Sequence, residues 1–134
     1  MRDFLAELDR ETRKALGIYP TKGQIAEYTI RFMEYYGIDF SQYTVLEPCA
    51  GLGGMIDPLP RRNHRTDPPI VLAEIHPRLI EILYEKYDDR LDVRLVERAV
   101  NLVGQEVSET KKLYGGLPEP FLVLTNPPYG TGAF

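Results

Sequence analysis

Cysteine, long apolar runs and surplus positive charge are all scarce in this sequence, and each shortage excludes something. One cysteine among 134 residues rules out an internal disulfide framework and fits a reducing cytoplasm. No apolar stretch approaches the roughly 18 residues that a bilayer-spanning helix needs, so no membrane partner is expected. The opening Met1-Arg2-Asp3-Phe4 is too charged for a secretory signal. Lys and Arg number 16 against 20 Asp and Glu, a net charge of -4, so no global basic footprint marks a nucleic-acid binder. Such binding would need a local patch or contacts supplied by another chain. Repeats and low-complexity segments are also missing. What remains is ordinary for one globular domain over residues 1–134: 43% hydrophobic and 27% charged, long enough for a real core.

Apolar spacing divides the chain into helices and strands. Residues 2–16 place Phe4, Leu5, Leu8, Thr12, Ala15 and Leu16 near one face of a helix, with Gly17 as its stop. Residues 24–36 form a second helix with Ile25, Tyr28, Thr29, Phe32, Tyr35 and Tyr36 as its apolar side and Gly37 at its end. Together they make an N-terminal helical segment, 1–37. Strands are expected at 43–46, 69–73, 91–96 and 121–125. Pro77 opens a helix at the position where proline is best tolerated, with Leu79, Ile80, Leu83, Tyr84 and Tyr87 facing inward. Residues 101–120 have room for a short helix around 105–113 before a Gly- and Pro-rich loop. Alternating strands and helices imply an α/β fold with a parallel sheet and right-handed crossovers.

Three features fall at strand ends, on the edge where open α/β sheets hold their ligands. The first expected strand runs into Glu47-Pro48-Cys49-Ala50-Gly51-Leu52-Gly53-Gly54. Glycines there allow close approach to the backbone. Glu47 beside them suits an ammonium group and would repel a pyrophosphate. Taken alone, the segment also reads as a flexible strand-to-helix turn. Glu74 ends the second strand, where an acidic residue accepts hydrogen bonds from ribose hydroxyls; alone, it reads equally as a solvated glutamate. The run 121–125 leads into Asn126-Pro127-Pro128-Tyr129. The two prolines stop the strand, since neither can donate to a ladder. That leaves an amide, two rigid carbonyls and an aromatic ring, a set able to grip a planar amino-bearing substrate. The plain alternative is a Pro-Pro turn with Tyr129 packed on proline.

In that order and at strand ends, the three features resemble the N-terminal part of the catalytic domain of S-adenosylmethionine-dependent adenine-N6 methyltransferases, in the style of the modification subunits of type I restriction systems. Glu47-Pro48-Cys49-Ala50-Gly51-Leu52-Gly53-Gly54-Met55 is similar to that family's Asp-Pro-Ala-Cys-Gly-Ser-Gly-Gly-Met loop, and Asn126-Pro127-Pro128-Tyr129-Gly130 to its Asn-Pro-Pro-Phe/Tyr-Gly motif. Gly17-Ile18-Tyr19-Pro20-Thr21-Lys22 is a weaker echo of its Gly-x-Phe-Tyr-Thr-Pro segment. The resemblance implies a Rossmann-like class I methyltransferase fold with a partial sheet in the order 3-2-1-4. It implies that Thr21 binds the methionine carboxylate, that Glu47, Pro48, Gly51 and Gly53 line the methionine and ribose, and that Glu74 takes the ribose hydroxyls. Asn126 and the Pro127 carbonyl would hold the target amine in DNA, with Pro128 and Tyr129 completing the clamp and Tyr129 stacking on the base. RNA guanine and protein glutamine are alternative amine substrates for the same tetrapeptide. A non-catalytic cofactor- or partner-binding module is the alternative of a different class.

The sequence departs from that pattern in four places. Pro58 and Pro60 forbid more than about one turn of helix after the glycine loop. No Asp stands at the end of the third strand, where Glu97 or Asn101 would have to substitute. His64 lies in Arg61-Arg62-Asn63-His64-Arg65, which reads as a solvated basic loop; His76 reads as a cap or surface residue and Cys49 as packing. Lastly, 3-2-1-4 makes the fourth strand a hydrophobic edge, so a fragment of a longer protein, or pairing with a second copy or a partner through that strand, is expected.

Overall fold

A computed structural model describes residues 6–15, 20–97 and 117–127. Its elements are α1 (Arg10–Ala15), α2 (Gly23–Tyr35), β1 (Thr44–Glu47), β2 (Ile70–Ala73), α3 (Pro77–Lys86), β3 (Val93–Val96) and β4 (Phe121–Val123). The four strands form one sheet in the order β3-β2-β1-β4, every neighbouring pair parallel. This is the α/β class and strand order the sequence implied. β2 is buried along its whole length, so its four residues form an unbroken apolar run. Val45, Ile56, Ile70, Leu72 and Leu83 are the largest apolar side chains to be fully enclosed, each worth about 1.5–3 kcal/mol of burial. Among the described residues no helix is long and apolar enough to cross a membrane.

Three helices differ from expectation. The first helical stretch is broken: residues 6–7 are helical, the chain bends at Leu8, and α1 starts afresh at Arg10. Asp9 causes the restart, accepting from the Thr12 N–H at 2.8 Å and the Thr12 hydroxyl at 2.7 Å as an N-cap. In α2 the apolar side is reversed. Ile25, Tyr28, Phe32, Tyr35 and Tyr36 face solvent, while Ala26 and Ile30 are buried and Met33 packs on the core. Small and aliphatic residues let the helix lie close to the sheet, and the large rings stay outside. In α3, Leu79, Ile82 and Leu83 form the inner face, whereas Tyr84 is exposed.

The basic loop contains a structural centre. The Arg62 guanidinium donates to the carbonyls of Phe40, Tyr43 (2.6 Å) and Pro68 (2.7 Å), and the Arg62 backbone N–H donates to Asp92 at 3.0 Å. Asp92 is buried and pairs with Arg90 at 2.6 Å. The strand expected over 91–96 begins at Val93, and Leu91 is exposed in the preceding turn.

Candidate functional site

The chain leaves β1 at Glu47 and enters tight turns that continue to residue 59 without a helix, as Pro58 and Pro60 require. The loop is tied to β2 by the Ala50 N–H on the Ala73 carbonyl at 3.0 Å and closes on itself through Gly53 N–H on Ala50 O at 2.7 Å. Gly51 and Gly53 both take left-handed backbone, φ +55° and +75°, a region open to glycine at little cost. Their surroundings differ. A Cβ on Gly51 would meet nothing within 4 Å, so that face is open to a ligand. A Cβ on Gly53 would overlap the Tyr87 hydroxyl and lie 2.8 Å and 2.9 Å from its ring carbons. Gly53 is therefore needed by Tyr87, within the fold. Pro48 is buried behind the loop.

Two carboxylates meet here. Glu74, at the end of β2, accepts from Gly51 N–H at 2.8 Å with one oxygen and from Ile75 N–H (2.8 Å) and His76 N–H (2.9 Å) with the other. His76 holds the N-cap position of α3 without a side-chain capping bond, and Pro77 sits just inside the helix, as expected. Glu47 is only 1% exposed. Its carboxylate accepts from Cys49 N–H at 3.0 Å. Burial drives its pKa up to about 7, against the pull of the Thr125 hydroxyl and the N–H groups of Cys49 and Asn126, with the charge of Glu74 adding to the rise. The buried Thr125 hydroxyl is near enough to act on Glu47 but has no well-aligned hydrogen bond. Among the described residues Glu47 forms no ion pair. Burial first, then Glu47 and Glu74, push the Cys49 thiol up as well, away from nucleophilic character.

Asn126 follows β4, three residues after the strand closes at Val123. Its amide nitrogen donates to the Thr21 hydroxyl at 3.2 Å, across 105 residues of chain. Thr21 also lies over the loop: a Cβ on Gly54 would sit 2.8 Å from the Thr21 carbonyl. Contacts thus run from Gly51 through Glu74 and Glu47 to Asn126 and Thr21 along one edge of the sheet. Pro127 is exposed beside them. Pro128, Tyr129, Asn101, Gly17 and the short helix expected at 105–113 lie outside the described residues. Glu97 hydrogen-bonds the Tyr84 hydroxyl, which together with burial raises the Tyr84 pKa.

Gly54, Thr125 and Tyr87 escaped the sequence reading as site residues. The third glycine of the loop and an inward Tyr at the end of α3 were visible signals, but nothing in spacing alone pairs positions 53 and 87. Among the described residues no cluster of His, Cys, Asp and Glu could hold a metal ion. A cavity of ≈ 290 Å³ lined by Leu72, Leu83, Tyr87, Arg90 and Leu95 shares only Tyr87 with the residues described for this edge. Compared with known proteins, the chain matches no family model and no curated protein.

Proposed function

We propose that this chain binds S-adenosylmethionine across the carboxyl edge of its sheet and serves methyl transfer to the N6 amine of adenine in DNA. The contact that carries this reading is Asn126 to Thr21, 3.2 Å apart, with Thr21 seated on Gly54. It joins the three segments of the resemblance, which are far apart in sequence. The residues suit the cofactor chemically. Among the described residues Glu47 is a buried carboxyl without a cation and fits an ammonium group, while the open side of Gly51 leaves room against the backbone. When bound, the cofactor supplies a methyl on a sulfonium, already a strong donor. The protein's part is then alignment. Asn126 and the Pro127 carbonyl accept from the adenine NH2 and fix its lone pair toward the methyl. The methyl would pass to that amine, whose proton would leave to solvent, while these residues keep the acceptor in line. A base in duplex DNA must first be flipped out, at a cost of a few kcal/mol.

Calorimetry with S-adenosylmethionine and methyl-transfer assays on DNA, RNA and protein glutamine test the reading together. Wild-type protein is expected to bind the cofactor and methylate adenine in DNA. Asn126→Ala is expected to lose transfer by at least about a hundredfold, the scale for removing one aligned polar contact, with cofactor affinity retained. Transfer to RNA or glutamine alone would redirect the substrate assignment.

A second reading has its own observation. Both Glu74 oxygens already hold backbone N–H groups, which suits a staple between the loop and α3 in a non-catalytic module. No binding heat and no transfer would favour that module. The edge position of β4, with Phe121 and Val123 exposed, supports pairing with a second copy or a partner, which light scattering across concentration would reveal.

A further inference from the structure

We propose that Asp57, Lys86 and Tyr87 form a positioning clamp that fixes the shape of the glycine loop, in the place where this chain cannot build a helix. The inference rests on the cofactor reading for its purpose, though not for its geometry. A loop that runs into a helix has its peptide groups ordered by the helix's own hydrogen bonds. Here residues 51–59 are successive turns. Their order comes from the end of α3. The Lys86 ammonium donates to the Leu52 carbonyl and to Asp57, both at 2.7 Å. The Tyr87 hydroxyl shares its one proton between two acceptors, the Gly53 carbonyl at 2.9 Å and the second Asp57 oxygen at 2.8 Å. Two consecutive carbonyls of the loop thus face Lys86, the last residue of α3, and Tyr87, its C-cap, and Asp57 bonds to both.

The cation of the clamp is sheltered, while Asp57 is exposed. The Lys86 side chain is 19% exposed, and its ammonium sits 5.2 Å from the centre of the Tyr87 ring, within cation–π range. Leu52 is buried against Leu79 and Ile82, so the same helix also holds the loop from its apolar side. Gly53 is the matching adaptation in the loop, since any side chain there would displace the Tyr87 ring. Burial and Asp57 both raise the Tyr87 hydroxyl's pKa, so it remains a proton donor at every working pH.

Native-state hydrogen exchange and cofactor calorimetry on Tyr87→Phe, Lys86→Ala and Lys86→Arg test the clamp. The reporters are the amides of Gly53, Ile56 and Leu59, bonded to Ala50, Gly53 and Ile56 carbonyls, with those of Val45 and Ile70 as sheet controls. Tyr87→Phe and Lys86→Ala are expected to speed loop exchange about tenfold while the sheet changes less than about twofold. They are also expected to weaken S-adenosylmethionine about tenfold, and Lys86→Arg to restore most of both. Exchange rising equally in loop and sheet, or not at all, overturns the clamp, as does unchanged affinity in Tyr87→Phe. Loop-specific exchange in a protein whose wild type binds no cofactor upholds the clamp and overturns the methyl-donor reading.

Discussion

Replacing Glu47 with Gln should make the protein more stable, and only above acidic pH. The wild-type carboxyl holds its proton in the folded state until about pH 7, against a usual value of 4.5. Below pH 4.5 it is neutral both folded and unfolded, and the two states bind protons alike. Between 4.5 and 7 the unfolded chain ionises while the folded one stays protonated, so stability falls as pH rises across that window. Above 7 both are ionised and the loss is complete. A rise from 4.5 to about 7 corresponds to about 3 kcal/mol. Gln is neutral throughout and escapes this fall. Its NH2 accepts nothing, however, from the Cys49 and Asn126 N–H groups that face the carboxyl, which costs about 1 kcal/mol. The expected gain is therefore about 2 kcal/mol at pH 8, roughly 6–8 °C in Tm, reversing to a loss of about 1 kcal/mol at pH 4. Chemical denaturation of both proteins from pH 4 to 8 measures it. A stability difference that does not change with pH would refute an elevated Glu47 pKa. The same variant should lose cofactor binding, since an amide cannot neutralise an ammonium.

Further outcomes can be checked on purified protein. Gly53→Ala should destabilise by about 2–3 kcal/mol or more in urea unfolding, because left-handed backbone and overlap with Tyr87 act together; Gly51→Ala, with open space around it, should cost about 1 kcal/mol through backbone alone. Arg62→Ala should cost about 3 kcal/mol or more, leaving three carbonyls short of a donor while the backbone N–H to Asp92 is kept. Tyr35→Ala on the solvent side of α2 should shift unfolding by less than about 0.5 kcal/mol, a result that an inward Tyr35 would contradict.

The sheet was legible because its signals are local. The uninterrupted Ile70-Val71-Leu72-Ala73 requires cover on both faces, and Pro77 marks a helix start through its fixed φ and missing N–H. The three strand-end segments were legible as candidates for one site, and Asn126, Thr21, Glu47, Gly51 and Glu74 do converge. Hydrophobicity misled at α2, where period alone cannot say whether a ring-rich stripe or the narrow Ala26-Ile30 stripe meets the sheet. It misled at Arg62 too, since charge suggests solvent while a guanidinium satisfies carbonyls that would otherwise be stranded. The roles of Gly51 and Gly53 looked alike in sequence because the difference between them, the ring of Tyr87, is contributed from 34 residues away.

Arg62 gathers the backbone where the strands begin, while every candidate ligand contact lies where they finish. Such a division gives the molecule a fixed foundation and an adjustable rim. Side chains around Asn126 and Glu47 are free to be exchanged for others suited to a different acceptor without loosening the base on which they stand.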